Sequence, residues 1–123
     1  MASDYRDKGR FYFGFKYAWN GLLYAIKSER NVKIHLIAMI IVFILGILTK
    51  LSSIEWAVLC LTCSAVISME VLNTAVETAL NYLEPNKKAA IGLAKDLAAG
   101  AVLVTAIFAV IIGCFIFLPH WID

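Results

Sequence analysis

Residues 56–82, WAVLCLTCSAVISMEVLNTAVETALNY, begin as a membrane span and end as something else. Trp56 to Met69 carries no charge and runs 14 residues, about 21 Å of helix at 1.5 Å per residue. The hydrocarbon core of a bilayer is about 30 Å thick. The helix must therefore carry the residues after Met69 into the membrane to finish the crossing. Glu70 then sits in the inner part of the hydrocarbon, and Glu77, about 10 Å further along, reaches the interface. At 100° per residue Glu70, Asn73, Glu77 and Asn81 fall within an arc of roughly 80°, so they form one polar stripe. A carboxylate inside a span costs roughly 2.5–3.5 kcal/mol on insertion scales and marks a functional site by default. Helix-to-helix glue is the plainer reading of such a stripe, but Asn or Gln would serve that purpose at lower cost.

The rest of the chain supports a membrane setting. Hydrophobic residues make up 62% and charged residues 16% of 123, against roughly 45–50% and about 25% in a soluble domain. A net charge of +2 is too small to point to nucleic acid. The start, MASDYRDKGR, is polar, and no cleavable signal peptide is expected from it. Cys60, Cys63 and Cys114 lie in apolar runs; the C-x-x-C of CLTC has no nearby His and reads as plain buried thiols.

Four helices are expected: a surface helix at about 8–28, then spans at 32–50, 53–83 and 88–118, in a single membrane domain covering 1–123. In the first, Phe11, Phe15, Ala18, Leu22 and Ile26 recur at helical spacing among basic residues, as in a helix lying in the membrane interface or packed on its own spans. Leu97–Leu118 is 22 uncharged residues, about 33 Å. Seven of the eleven Lys and Arg precede residue 34, and Lys87, Lys88 and Lys95 follow the second span. The positive-inside rule then places the N-terminus and the second connector in the cytoplasm and the C-terminus outside, with Trp56 and Trp121 near the outer boundary.

Glu29 before the first span, Glu77 at the end of the second, and Lys95 and Asp96 at the start of the third are brought to one membrane level by this topology. Carboxylates with a Lys and an amide at that level suggest Mg²⁺ and phosphate, because Mg²⁺ takes oxygen ligands shared with substrate phosphates and Lys supplies a point charge to phosphoryl oxygens. Glu70 is deeper, within reach of a lipid, where a general base could take a hydroxyl proton. There is no G-x-x-x-x-G-K-[ST], no G-x-G-x-x-G and no protein-kinase signature. The Ala98–Ala101 run, AAGA, is small-residue packing, and Ala99, one turn beyond Lys95, leaves room for lipid. His35 reads as an interface hydrogen-bonder, His120 as a tail residue and Trp19 as an anchor of the surface helix.

The segments EVLNTAVE, AKDLAAGAV and ERNVKIH resemble the small trimeric bacterial diacylglycerol kinase family, and within it the Gram-positive undecaprenol kinase branch. The resemblance runs from about Arg10 to Trp121; its specific feature is E-x-x-N-x-x-x-E followed about 17 residues later by A-K-D. It implies an all-α integral membrane homotrimer with shared active sites, in a bacterial cell membrane, transferring the γ-phosphate of ATP to a lipid alcohol. It implies Glu70 as proton acceptor, Glu29 and Glu77 as Mg²⁺ ligands that also face ATP, and Asn73 as a catalytic residue that supports those two ligands. It implies nucleotide contacts at Arg10, Tyr17, Lys95 and Asp96, with Asn86, Lys87 and Lys88 on a nucleotide-side loop, and lipid contacts at Arg10, Glu70 and Ala99. The chain departs from the family at Asn81, where Asp is usual. His35 replaces a Glu of the Gram-negative enzyme and favours undecaprenol over diacylglycerol. A proton-coupled transporter is the alternative from another class, but a transport site belongs nearer the midplane.

Overall fold

The computed structural model describes residues 10–122, and of residues 10–13 the backbone alone. It is all helix: α1 Arg10–Ser28, α2 Arg30–Thr49, α3 Ser53–Leu83 and α4 Ala89–Ile122. The last three are long and apolar enough to cross a membrane. α2 is 20 residues, about 30 Å, which matches the hydrocarbon thickness; α3 and α4, at 31 and 34 residues, exceed it. α3 pairs along α4, α2 packs on α3 and touches α4, and α1 leans on α2 and α3.

The α2–α3 corner is built from local chemistry. Lys50 N–H donates to the Ile47 carbonyl at 3.2 Å and Leu51 N–H to the Gly46 carbonyl at 3.3 Å. These two bonds close a Schellman motif with Lys50 in the left-handed position at φ 62°. Ser52 then starts α3 with a capping box: its Oγ accepts from Glu55 N–H at 3.2 Å, and Glu55 Oε1 accepts from Ser52 N–H at 2.9 Å. Leu51, just before the cap, is buried with Leu59, Ile116 and Phe117, and Trp56 packs against this cluster. The indole of Trp56 stands edge-on to Phe43, 5.7 Å between ring centroids, and lies over Gly46.

This corner also holds the end of α4. The expected span end at 118 is passed: α4 continues through Pro119 to Ile122. Proline forfeits one backbone bond there, and side-chain contacts hold the last turn in its place. His120 Nε2 lies 2.8 Å from Glu55 Oε2, and Trp121 Nε1–H donates to Thr49 Oγ1 at 3.0 Å. His120 is thus a helix-end latch and not a loose tail residue.

The exposed surface is 9241 Å², against about 6,600 Å² for a globular monomer of this mass. Much of the excess is apolar, with Ile37, Ile41, Ile44, Leu61, Leu103 and Phe108 all bare. A chain in this state requires lipid or further protein around it, and is a membrane protein. Of the apolar stripe expected on α1, Phe15 is 73% exposed, whereas Leu22 and Ile26 are 41% and 39% exposed and partly covered by the chain's own spans; the side chain of Phe11 lies outside the described residues. Trp19 stacks on Phe15 along the same helix, 6.4 Å between centroids. Of the three cysteines, all free, only Cys63 is partly covered; Cys60 and Cys114 are exposed, so two of the thiols expected to be buried are not.

Candidate active site

All the buried polar side chains among the described residues lie within two turns of α3. Glu70 is 3% exposed, Asn73 8% and Thr74 6%. They continue along one helical face to Glu77, which is half-buried, and Asn81, which is exposed. The polar stripe therefore rises from the interior of the bundle to its surface. Burying an ionisable group is costly unless it is paired. Glu70 meets His35 of α2, with Nε2 3.3 Å from Oε2. The hydroxyl of Thr74 is spent locally, donating to the Glu70 carbonyl at 3.1 Å.

One turn on, Asn73 Nδ2–H donates to Glu77 Oε1 at 3.2 Å. The other end of that amide, Asn73 Oδ1, is buried and unpartnered. An unmet buried acceptor is uncommon and calls for an explanation. At the surface, Lys95 Nζ donates to Asn81 Oδ1 at 2.6 Å and joins α4 to α3. An ammonium has three donors, so this bond leaves two for phosphoryl oxygens. Asn81 engages Lys95 as a neutral acceptor.

The remaining candidates are spread around this face. Glu29 caps the start of α2 by its backbone geometry alone; its side chain makes no capping hydrogen bond. Tyr17 on α1 is half-buried, whereas Asp96 and Ala99 are exposed on α4. In the connector 84–88, Glu84 accepts from the Asn86 backbone at 3.3 Å and pairs with Lys88 at 3.0 Å; Lys87 is exposed. The side chain of Arg10 lies outside the described residues. Among the described residues no three His, Cys, Asp or Glu side chains come together as a metal site, so one chain does not gather Glu29, Glu77 and Asp96 into a cluster. The structure does bring together Glu70 with His35, Asn73 with Glu77, and Asn81 with Lys95.

A cavity of about 310 Å³ opens between α2, α3 and α4, and the partner of Glu70, His35, forms part of its wall. His35 lies at one end; Met39, Val42, Leu59, Val66 and Phe117 line it toward the other. Its Thr62 hydroxyl is spent on the Val58 carbonyl at 2.7 Å. The wall is otherwise hydrocarbon-like, and His35 belongs both to this cavity and to the polar stripe.

Residues 16–117 match the prokaryotic diacylglycerol kinase family. The chain belongs to that family. It is 39% identical to the undecaprenol kinase of Bacillus subtilis over 119 residues, covering 96% of this chain and 97% of that one. It is 42% identical to the diacylglycerol kinase of Synechocystis sp. over 111 residues, 85% of this chain and 61% of the other, and 27% identical to the diacylglycerol kinase of Escherichia coli over 121 residues, 98% and 99%. Sequence reasoning found the polar stripe but missed two features. The Glu70–His35 contact needed the packing of α2 on α3, although a His one turn into a span was a signal. The capping box was legible as S-x-x-E at 52–55.

Proposed function

We propose that this chain is an ATP-dependent lipid kinase that transfers the γ-phosphate of ATP to a membrane lipid alcohol, undecaprenol first and diacylglycerol second. The observation that carries the reading is the depth ordering on α3: a buried carboxylate at Glu70, an amide–carboxylate pair at Asn73 and Glu77 one to two turns nearer the surface, and Lys95 above them. An enzyme joining a water-borne nucleotide to a lipid needs such a gradient, since the two reactants arrive from opposite directions.

Phosphoryl transfer depends chiefly on positioning and on stabilising the charge of the transferred group. Lys95 offers point charge to the phosphates. Glu70 takes the proton of the lipid hydroxyl as its oxygen attacks the γ-phosphorus and the bond to the β-phosphate oxygen of ATP breaks. The apolar cavity that His35 lines suits the lipid's hydrocarbon. By resemblance, Arg10, Tyr17, Lys87 and Asp96 serve the nucleotide.

The donor set fits Mg²⁺. Asn73 Oδ1 is an orphaned buried oxygen next to the Glu77 carboxylate, and Mg²⁺ takes hard oxygen ligands, one or two from protein with the rest from phosphate and water. Glu77, with Glu29 and Asn73, would hold the ion, which when bound neutralises phosphate charge. A homotrimer with sites shared between subunits, as the resemblance implies, would cover the bare apolar faces and bring together residues such as Glu29 and Asp96 that one chain leaves apart. The N-terminus lies in the cytoplasm and the C-terminus outside the bacterial cell membrane.

The test is whether ATP consumption by purified protein depends on added lipid alcohol. Phosphorylated lipid should appear in step with ADP. ATP consumption independent of lipid, or none with any lipid alcohol, would overturn the reading.

A further inference from the structure

We infer that His35, in the wall of the apolar cavity, is a positioning residue that holds Glu70 for proton abstraction. The inference rests on the reading of Glu70 as base. Three observations carry it. The Glu70 side chain is 4% exposed and its oxygen Oε2 lies 3.3 Å from His35 Nε2. The contact crosses from α2 to α3, so it fixes the carboxylate relative to a second helix and not merely along its own. His35 also lines the cavity, so the imidazole stands where a hydrocarbon tail lying in that cavity would meet the polar stripe.

The chemistry follows from these positions. In the tautomer that carries its proton on Nε2, the imidazole draws Oε2 toward itself across 3.3 Å and biases the carboxylate to one orientation, leaving Oε1 for the lipid hydroxyl. The lipid oxygen forms its bond to the γ-phosphorus, the bond from that phosphorus to the ADP oxygen breaks, and the hydroxyl proton passes to Glu70. His35 gains and loses no proton in this step; it acts through Glu70. A contact of 3.3 Å without substrate is of the kind that tightens when the reactants are bound.

The experiment compares His35→Leu, His35→Gln, Glu70→Gln and the double variant Glu70→Gln/His35→Leu in single-turnover lipid phosphorylation, with KM for Mg·ATP measured for each. His35→Leu removes the donor. It should lower the rate by about 10–100-fold, the range typical of residues that orient a ligating group without touching substrate, and leave KM for Mg·ATP unchanged. His35→Gln keeps an N–H at similar reach and should recover most of the rate. The double variant should be no slower than Glu70→Gln alone, because residues acting as a unit are not additive. Wild-type rate in His35→Leu, no recovery in His35→Gln, or a double variant slower by the full product of the two single effects would overturn the inference while leaving Glu70 as base. Full activity in Glu70→Gln would instead remove the base reading, and this inference with it.

Discussion

Replacing Glu70 and Glu77 separately by Gln divides base from metal ligand. Both substitutions are nearly isosteric, so packing is kept. Glu77→Gln retains an oxygen for the Asn73 Nδ2–H that now donates to Oε1 at 3.2 Å. Glu70→Gln keeps its volume at a site 3% exposed. What changes is charge, at two depths about 10 Å apart along α3. Loss of a general base costs on the order of 10²–10⁴ in rate, which is about 2.7–5.4 kcal/mol of barrier at 1.36 kcal/mol per decade. Glu70→Gln should therefore bind Mg·ATP as the wild type does and lose phosphoryl transfer by that factor. Glu77→Gln should bind Mg·ATP more weakly, with part of the loss restored by excess Mg²⁺. Calorimetry gives nucleotide affinity, and single-turnover phosphorylation gives the chemical step. The reasoning is refuted if Glu70→Gln abolishes nucleotide binding while Glu77→Gln leaves it intact; if both keep full activity, the stripe is only packing glue.

Two further outcomes are expected. A Cβ on Gly46 would come 2.7 Å from Trp56 Cη2 and 3.1 Å from Leu51 Cδ1, so Gly46→Ala should lower stability by about 1–3 kcal/mol through overpacking at the α2–α3 corner; thermal unfolding in detergent reads this, and an unchanged Tm would show that the indole yields freely. A reporter fused after Asp123 should appear on the outer face and one inserted at Pro85 on the cytoplasmic face, and the reverse pattern would separate Lys87, Lys88 and Lys95 from ATP.

Much of this was legible in one dimension. The spans follow from apolar run length, and the stripe from the 3.6-residue period that aligns Glu70, Asn73, Glu77 and Asn81. Depth followed as well, because a 14-residue apolar run is too short to cross without Glu70. The helix of the third span runs on past 118 through Pro119, where Glu55 and Thr49 hold His120 and Trp121, and run length does not encode such contacts. The partners of Glu70, Asn81 and Glu55 were hidden for a common reason. Each pair joins different helices at separations of 35, 14 and 65 residues, and no local pattern encodes such distances. How far Phe15, Leu22 and Ile26 are covered was likewise open, because periodicity shows that a face is apolar but not what covers it.

The central claim is transfer of phosphate to a lipid alcohol, and the most direct measurement is parallel phosphorylation of undecaprenol and diacylglycerol by purified protein with ATP labelled at the γ-position. The account predicts that label enters both lipids' product fraction only with Mg²⁺ present, and enters undecaprenol faster. Preference for diacylglycerol would contradict the choice of substrate, and absence of label in either lipid would contradict the kinase reading itself.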